Sequence, residues 1–243
     1  STDWFSEPQS NYFLFSFINL NSSAVNKSLF SSILSPIKKI NGESFYKCNS
    51  LKQVYLPSSV EIIDESAFFE CTSLVQFVIP SSVKSIEKNA FYGCKELKYV
   101  TFCYSLKTIE NSAFKDCSSL VCVNIPNSVT EIGQQAFSGC SSIKQVTIPN
   151  SVTKIGELAF NECESLVEIE IPNSIKKICN FTFKSCSSLE KVIIPNSVVE
   201  IGTYVFKSCT SLKNIYIPSS VKSTGFGAFD CCPAKIHKNK NKH

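Results

Sequence analysis

The apolar positions of this chain recur every 23 residues, and polar residues fill the positions between them. The clearest mark of the period is a Phe-x-x-Cys pair, which occurs nine times without insertion or deletion. Self-similarity at a short fixed period is the signature of a solenoid, in which each turn is one unit stacked on the last. The pairs are Phe45/Cys48, Phe68/Cys71, Phe91/Cys94, Phe114/Cys117, Phe137/Cys140, Phe160/Cys163, Phe183/Cys186, Phe206/Cys209 and Phe229/Cys232.

The order of apolar positions within one turn predicts its local structure. A Leu-x-x-Val-x-Ile string follows each Cys and alternates in its last part, as a half-buried strand does. A Pro ends this strand in seven of eight turns, because Pro has no N–H to donate to a ladder. A Ser-Val-x-x-Ile string then predicts a second extended segment, and the Phe-x-x-Cys segment predicts a helical or 3₁₀ turn. The sequence therefore predicts an α+β repeat solenoid: a leucine-rich-repeat arc of about nine turns with a parallel sheet on one face.

We call the residues that occupy the same position of the repeat in successive turns a column, and one further column is rich in glycine. Gly133, Gly156, Gly202 and Gly225 each follow the second extended segment. Glycine adopts left-handed or tight backbone conformations at little cost. We therefore expect a left-handed or closely approached backbone at this column, although other turns place larger residues there.

The two ends of the chain differ from the repeats in amino-acid composition and lack the repeat pattern. Residues 1–32 are rich in aromatic side chains and lack the basic start of a signal peptide, so we interpret them as a cap over a solenoid that spans residues 33–232. Residues 233–243 form a basic tail. One period after Leu212 stands Lys235, and the next two core columns would fall at Lys238 and Lys240. The apolar pattern therefore stops after Cys232, and the open end suggests end-to-end self-association.

Composition narrows the range of partners. The net charge is +4, and all basic side chains of the chain are lysines. Without arginine there is no guanidinium fork for phosphates or guanine edges, so we do not expect a nucleic-acid partner. No segment reaches the roughly 18 consecutive apolar residues that a membrane-spanning helix needs.

Thirteen cysteines raise the question of disulfides. Nine of them form one core column, the usual place for a free cysteine that acts as a small apolar side chain. The other four, Cys103, Cys122, Cys179 and Cys231, do not face one another across turns. We therefore expect reduced thiols, and no zinc site, because a 23-residue ladder does not place four thiolates tetrahedrally.

The repeats contain no pattern typical of an enzyme. The two histidines, His237 and His243, both lie in the tail, so the repeats lack a base for Ser–His–Asp or Cys–His catalysis. There is no phosphate-binding loop, and we expect no cofactor. Glu168 and Glu170 share one strand face and could in principle act as an acid–base pair. We favour a solvated acidic spot on a binding face.

Residues 120–140 match the repeat pattern at almost every position, from Leu120 through Pro126, Val129 and Phe137 to Cys140. This string resembles the BspA-like (Treponema pallidum-type) leucine-rich repeat, and the resemblance covers about residues 33–232. It implies a leucine-rich-repeat solenoid whose sheet lines the inner face. Such proteins are found on bacterial surfaces and in parasitic protists, several as adhesins. The resemblance thus implies a surface or secreted protein, and we expect a parasitic protist source.

The outward residues of the Leu-x-x-Val-x-Ile strand vary from turn to turn, whereas its core residues do not. Such variation is expected of a specific binding face, and also of a surface free of packing constraints. We interpret this variable surface as a binding face for a protein ligand. Its outward residues include tyrosines, and tyrosine buries a large area at small entropic cost when a ligand binds. The residues expected to contact the ligand are Tyr55, Tyr99, Thr101, Asn124, Glu168, Glu170, Lys191 and Tyr216.

The sequence thus predicts a non-catalytic protein-binding module of the adhesin type. The alternative is an intracellular scaffold, which reduced cysteines and the lack of a visible signal peptide would suit. Asn-x-Ser/Thr triplets at Asn21, Asn26 and Asn180 are acceptors for glycans on the secretory route and suit the adhesin. A third interpretation is a surface-anchored hydrolase whose catalytic domain lies outside this chain.

Overall fold

The computed structural model describes residues 37–238, which coil in a solenoid of about nine stacked turns. The predicted N-terminal cap, and with it Asn21 and Asn26, lies outside the described residues. Each turn contributes one or two short strands to parallel ladders that run along the stack. The solenoid predicted from the 23-residue period is therefore confirmed.

The strands are short because each turn bends after two to four residues of ladder. In chain order they are β1 (Lys39–Ile40), β2 (Ile62–Ile63), β3 (Gln76–Val78), β4 (Ser85–Ile86), β5 (Tyr99–Thr101), β6 (Thr108–Ile109), β7 (Cys122–Asn124), β8 (Glu131–Ile132), β9 (Gln145–Thr147), β10 (Lys154–Ile155), β11 (Glu168–Glu170), β12 (Lys177–Ile178), β13 (Lys191–Ile193), β14 (Glu200–Ile201), β15 (Asn214–Ile217), β16 (Ser223–Thr224) and β17 (Lys235–Lys238).

The strands form two series of parallel pairs. The Leu-x-x-Val-x-Ile strands pair as β3–β5, β7–β9–β11–β13 and β15–β17, and the second extended segments pair as β1–β2–β4–β6–β8–β10 and β12–β14–β16. From β1 to β16, paired residues are one 23-residue period apart, as in Val123 opposite Val146. Every column of the sequence therefore becomes a straight row in space.

The core is a stack of identical rows. The Phe rings from Phe45 to Phe229 lie one over another, with adjacent centroids from 4.8 Å at the N-terminal end to 5.8 Å between Phe183 and Phe206. The column cysteines from Cys71 to Cys209 are buried beside them as free thiols. Because one turn cannot bury its apolar residues alone, each turn depends on its neighbours for a core.

The predicted helical or 3₁₀ segment is wrong: residues 37–238 contain no helix. The Phe-x-x-Cys segment is a series of tight turns. The N–H groups of Phe114 and Asp116 donate to Ala136 and Ser138 of the next turn, both at 2.8 Å. These inter-turn bonds take donors that a helix would use internally, and a left-handed φ of 59° at Asp116 interrupts any helical run.

The glycine column is a point of close approach, as expected, but its backbone is not left-handed. A Cβ on Gly156 would lie 2.5 Å from the backbone nitrogen of Gln134 in the preceding turn. Left-handed φ instead recurs at two other columns, which include Ser112, Leu158 and Ser185. Most of those positions hold residues other than glycine, so the sequence pattern did not indicate them.

The basic tail begins with a strand. β17 pairs with β15, with Asn214 opposite Lys235 and Ile215 opposite Ile236. The offset here is 21 residues, because the link from Cys232 to the strand is two residues shorter than in the preceding turn. The core columns therefore fall two residues earlier than expected, with Ile236 in the column of Ile215 and Lys238 in that of Ile217. Lys240 lies outside the described residues.

Candidate functional site

One surface of the solenoid is built from the outward side chains of the Leu-x-x-Val-x-Ile strands, and we call it the sheet face. Successive residues of a strand point to opposite sides, so its two outward rows flank the buried central row. The first row is Gln53, Gln76, Tyr99, Cys122, Gln145, Glu168, Lys191 and Asn214. The second row is Tyr55, Val78, Thr101, Asn124, Thr147, Glu170, Ile193 and Tyr216.

The three predicted tyrosines all lie on the sheet face with more than half of their surface open to solvent. Their exposed fractions are 54% for Tyr55, 55% for Tyr99 and 60% for Tyr216. An aromatic ring left this exposed gains the most when a partner covers it. The rings are therefore available for contact and contribute little to the core.

The tyrosines do not form one cluster. At one strand spacing per turn, about 4.8 Å, Tyr99 lies about 10 Å beyond Tyr55 and Tyr216 about 24 Å beyond Tyr99. Thr101 follows Tyr99 on β5 and pairs with Val78 of β3. Asn124 pairs with Thr147 and belongs to the uncharged middle of the face. A ligand that touched all three tyrosines would have to run along most of the stack.

The predicted charged residues do come together. Glu168, Glu170 and Lys191 line a shallow groove of about 610 Å³ on strands β9, β11 and β13. The Lys191 Nζ lies 3.6 Å from the Glu168 Oε2, an exposed ion pair. Within the described part of the chain, Glu170 forms no ion pair, and Thr147 and Ile193 flank it in its row. The groove thus presents one uncompensated carboxylate beside an exposed apolar side chain.

An asparagine row forms one rim of this groove, and sequence reasoning missed it. Asn150 and Asn173 follow Pro149 and Pro172 at the ends of their strands, and all four residues line the groove. The N–H of Asn173 donates to the Asn150 Oδ1 at 2.9 Å. The signal in the sequence is Pro-Asn-Ser in four consecutive turns, where other turns have Pro-Ser-Ser. These amides add hydrogen-bonding groups next to the charged residues.

At the C-terminal end, Tyr216 has a partner that the repeat pattern did not predict. The His237 ring stacks on the Tyr216 ring with 4.7 Å between centroids and 18° between planes. The His237 Nε2 also lies 3.2 Å from the Asn214 Oδ1. This contact follows from the 21-residue register of β17, which the 23-residue period could not indicate. Tyr216 therefore belongs to a small ring cluster at the end of the sheet face.

At the other end, the amide of Gln53 donates to the hydroxyl of Tyr55 at 2.5 Å. This bond joins the two outward residues of a single turn and holds the Tyr55 ring beside the first row. The ring remains mostly exposed, so the bond orients it without covering it. Gln53 and Tyr55 thus contact each other at the N-terminal end of the face.

The described residues have no other arrangement that indicates chemistry. In residues 37–238, no group of three or more His, Cys, Asp or Glu side chains could hold a metal ion. No helix in that range has the length and apolar character needed to cross a membrane. Burial strongly raises the pKa of the Cys117, Cys163 and Cys186 thiols, which makes these three poor nucleophiles.

Solved structures with similar folds are bacterial leucine-rich repeat proteins. A leucine-rich repeat protein from Bacteroides ovatus is 30% identical with a TM-score of 0.72, over 83% of this chain and 59% of that one. The leucine-rich repeat protein of Treponema pallidum is 31% identical with a TM-score of 0.59, over 73% of this chain and 75% of that one. This chain therefore spans about three-fifths of the Bacteroides ovatus protein.

A third structure shows the same fold at lower identity. It is a leucine-rich repeat protein from Eubacterium ventriosum, 23% identical with a TM-score of 0.57, over 86% of this chain and 66% of that one. No curated protein gives a match. The family model of the BspA type leucine rich repeat region, in six copies, matches residues 18–144 and 130–241. With nearly the whole chain matched, this protein belongs to the BspA-type leucine-rich repeat family.

Proposed function

We propose that this chain is a non-catalytic protein-binding module that holds its ligand on the sheet face, as a cell-surface or secreted adhesin. The observation that carries the proposal is that Tyr55, Tyr99 and Tyr216, each more than half exposed, all lie on the sheet face. Tyrosine is enriched among the residues that dominate binding energy at protein interfaces. Membership of a leucine-rich repeat family supports a binding role.

The rigidity of the ladder supports the same proposal. The central row of the sheet face is packed into the core, as with Val123 and Ile169, and its neighbours are held by parallel pairing on both sides. Outward side chains on such a ladder lose little backbone entropy when a ligand binds. The face is therefore suited to a folded or extended protein ligand rather than to a small molecule, for which a deep pocket is usual.

The proposal is tested with binding of the purified domain to immobilised extracellular-matrix proteins and to intact host cells. We expect Tyr55→Ala and Tyr99→Ala to weaken binding at least about fivefold each, the effect of losing more than about 1 kcal/mol at an interface. Tyr46→Ala is the matched control, because Tyr46 is an exposed tyrosine in a Phe-x-x-Cys segment, outside the sheet face. Equal losses in all three variants, or loss in the control alone, would contradict the proposal.

The competing proposal is an intracellular scaffold that uses the same face. The free thiols of the column from Cys71 to Cys209 favour it, because cytosolic proteins keep cysteines reduced. Staining of intact, unpermeabilised source cells with an antibody against the domain separates the two. Surface staining supports the adhesin, and staining that requires permeabilisation supports the scaffold.

End-to-end self-association is also part of the proposal. Among the described residues, β17 pairs with β15 on one side and leaves its other backbone edge open. Lys235 and Lys238 on this strand are exposed, and like charges oppose pairing with a second copy. We therefore expect association in high salt, which screens the lysines. Light scattering that shows a monomer in both low and high salt would exclude it.

A further inference from the structure

A stripe of alternating lysine and valine runs along one border of the sheet face, and we call it the edge stripe. Each residue of the stripe directly precedes the first outward residue of its turn. All of its lysines, Val75 and Val167 are exposed, and Val121 is half-buried. The stripe consists of Lys52, Val75, Lys98, Val121, Lys144 and Val167.

Backbone hydrogen bonds hold the edge stripe straight. The N–H of Val75 donates to the carbonyl of Lys52 at 3.1 Å, and the N–H of Lys98 donates to Val75 at 2.8 Å. The series continues from Val121 to Lys98 at 3.2 Å and from Lys144 to Val121 at 2.9 Å. Adjacent stripe residues therefore lie one strand spacing apart, and the lysines recur about every 9.6 Å.

The stripe lysines differ from Lys38 and Lys84 of the opposite strand series. There, Glu61 pairs with Lys38 at 2.5 Å and with Lys84 at 2.8 Å, and these bonds lower the pKa of Glu61 to about 2. Among the described residues, Lys52 and Lys98 form no ion pair, and Lys144 likewise forms none. The stripe therefore carries three lysine charges that no carboxylate of the described residues pairs with, and the same column continues beyond Val167 with Glu190.

We propose that the edge stripe binds an extended acidic segment of the protein ligand, in a polyproline II conformation with acidic side chains at every third residue. Polyproline II has three residues per turn and a rise of about 3.1 Å, so its same-side residues recur about every 9.3 Å. That repeat follows the lysine spacing. A β-strand repeats about every 6.8 Å on one side and does not match.

The valines favour a peptide over other anionic chains. A Val lies between successive lysines, exposed at Val75 and half-buried at Val121, and in the bound segment one of the two residues between acidic positions can turn towards it. An apolar residue such as proline at that position would cover Val75 and Val121 while the acids reach the lysines. A sulfated polysaccharide offers the anions without the apolar contact. This inference rests on the proposed function, since it assigns a ligand chemistry to one border of the sheet face.

The test uses fluorescent synthetic peptides and anisotropy at low salt. The probe is a peptide of four Glu-Pro-Pro repeats. A peptide of four Gln-Pro-Pro repeats has the same conformation without charge. A peptide of six Glu-Pro repeats carries more charge, but its same-side acids recur only about every 18.6 Å. We expect the Glu-Pro-Pro peptide to bind most tightly of the three.

The matched variants remove equal charge from two faces. The stripe variant is Lys52→Gln, Lys98→Gln and Lys144→Gln together, and we expect it to bind the probe at least about tenfold more weakly. The control removes Lys107, Lys176 and Lys222 by substitution with Gln. These lysines are exposed on the other strand series and form no ion pair among residues 37–238. We expect the control to bind the probe within about twofold of the wild type.

Several results would overturn the inference: no binding of the Glu-Pro-Pro peptide, tighter binding of the Glu-Pro peptide, or equal losses in the two triple variants. Heparin binding that needs the stripe lysines, without peptide binding, would assign the stripe to a polysaccharide instead. The binding loss of Tyr99→Ala is an independent readout. If that loss remains while the peptide fails to bind, the sheet-face proposal stands and the stripe inference falls.

Discussion

The thiol of Cys117 donates a hydrogen bond to the carbonyl oxygen of Phe91, with 3.1 Å between Sγ and O. The same bond recurs one turn later, from Cys140 to Phe114 at 3.1 Å. Each bond joins one turn to the turn before it and places a polarizable sulfur next to the stack of rings. The cysteine column is thus a structural row that couples the turns, rather than a store of disulfides.

This burial predicts slow thiol chemistry. Burial raises the pKa of Cys117 well above its usual range, so the reactive thiolate is scarce at neutral pH. We expect Ellman's reagent to modify the exposed Cys231 within minutes in the native protein and the buried column thiols from Cys71 to Cys209 only after unfolding. Cys231→Ser provides the control, since it should remove the fast phase. Rapid labelling of Cys117, identified by peptide mapping, would show that the column is open to solvent.

The same thiols predict loss of stability at alkaline pH. A thiol ionises near pH 8.5 in an unfolded chain, whereas burial raises the pKa of Cys209 to about 12 in the folded protein. The stabilisation is complete below the unfolded pKa and is lost as pH rises toward the folded value, because the unfolded chain then holds fewer protons. Each such cysteine contributes a slope of about 1.4 kcal/mol per pH unit.

The measurement is urea unfolding between pH 7 and pH 10.5, and the free energy of unfolding should fall steeply above about pH 8.5. Cys209→Ala serves as the comparison. Its free energy of unfolding is lower throughout, but its alkaline slope should be shallower than that of the wild type. Identical slopes for the two proteins would mean that Cys209 does not carry the effect.

Phe137→Ala is expected to be among the most damaging single substitutions. Phe137 is fully buried, and its ring stacks on Phe114 at 5.4 Å and on Phe160 at 5.5 Å. Truncation of a buried aromatic ring costs about 3–5 kcal/mol. Phe229, partly buried and stacked on Phe206 at the end of the row, is the comparison, and Phe229→Ala should cost less. Equal losses by urea unfolding would argue against a continuous ring stack.

Gly156→Ala tests the close approach between turns. Its Cβ would lie 2.5 Å from the nitrogen of Gln134 and 2.6 Å from the carbonyl carbon of Gly133, and backbone atoms cannot move aside cheaply. We expect a loss of about 1–3 kcal/mol in the free energy of unfolding. Ser185→Gly should instead be neutral or stabilising by up to about 1 kcal/mol, because it relieves a φ of 60°. If Gly156→Ala unfolds with the same free energy as the wild type, the turns do not approach closely at Gly156.

Tyr99→Ala should leave the fold almost unaffected. Tyr99 stands opposite Gln76 in the ladder, but more than half of its surface is exposed. Exposed substitutions usually change the free energy of unfolding by less than about 0.5 kcal/mol, which is roughly 1–2 °C in Tm for a chain of this size. Differential scanning calorimetry checks this. A drop of several degrees would mean that the ring packs on the sheet and is a poor candidate for ligand contact.

The amino-acid sequence by itself determined the repeat architecture. Nine copies of one pattern in register allow a single solution, in which each turn buries its apolar rows against the next. Parallel pairing then carries the period directly into space, so the outward positions of Tyr99 and Glu168 could be read from alternation alone. The predicted residues of the sheet face were identified in this way, and the grouping of Glu168, Glu170 and Lys191 follows from their neighbouring turns.

Other features were decided only by the tertiary structure, because they depend on bonds between turns. The Phe-x-x-Cys segment has a local pattern compatible with a helix, yet the N–H of Phe114 finds its acceptor in Ala136 of the next turn. The stacking of His237 on Tyr216 depends on a register that shortens to 21 residues after the last repeat. Sequence periodicity describes what is the same in every turn, whereas hydrogen bonds across turns and the final change of register decide where the turns differ.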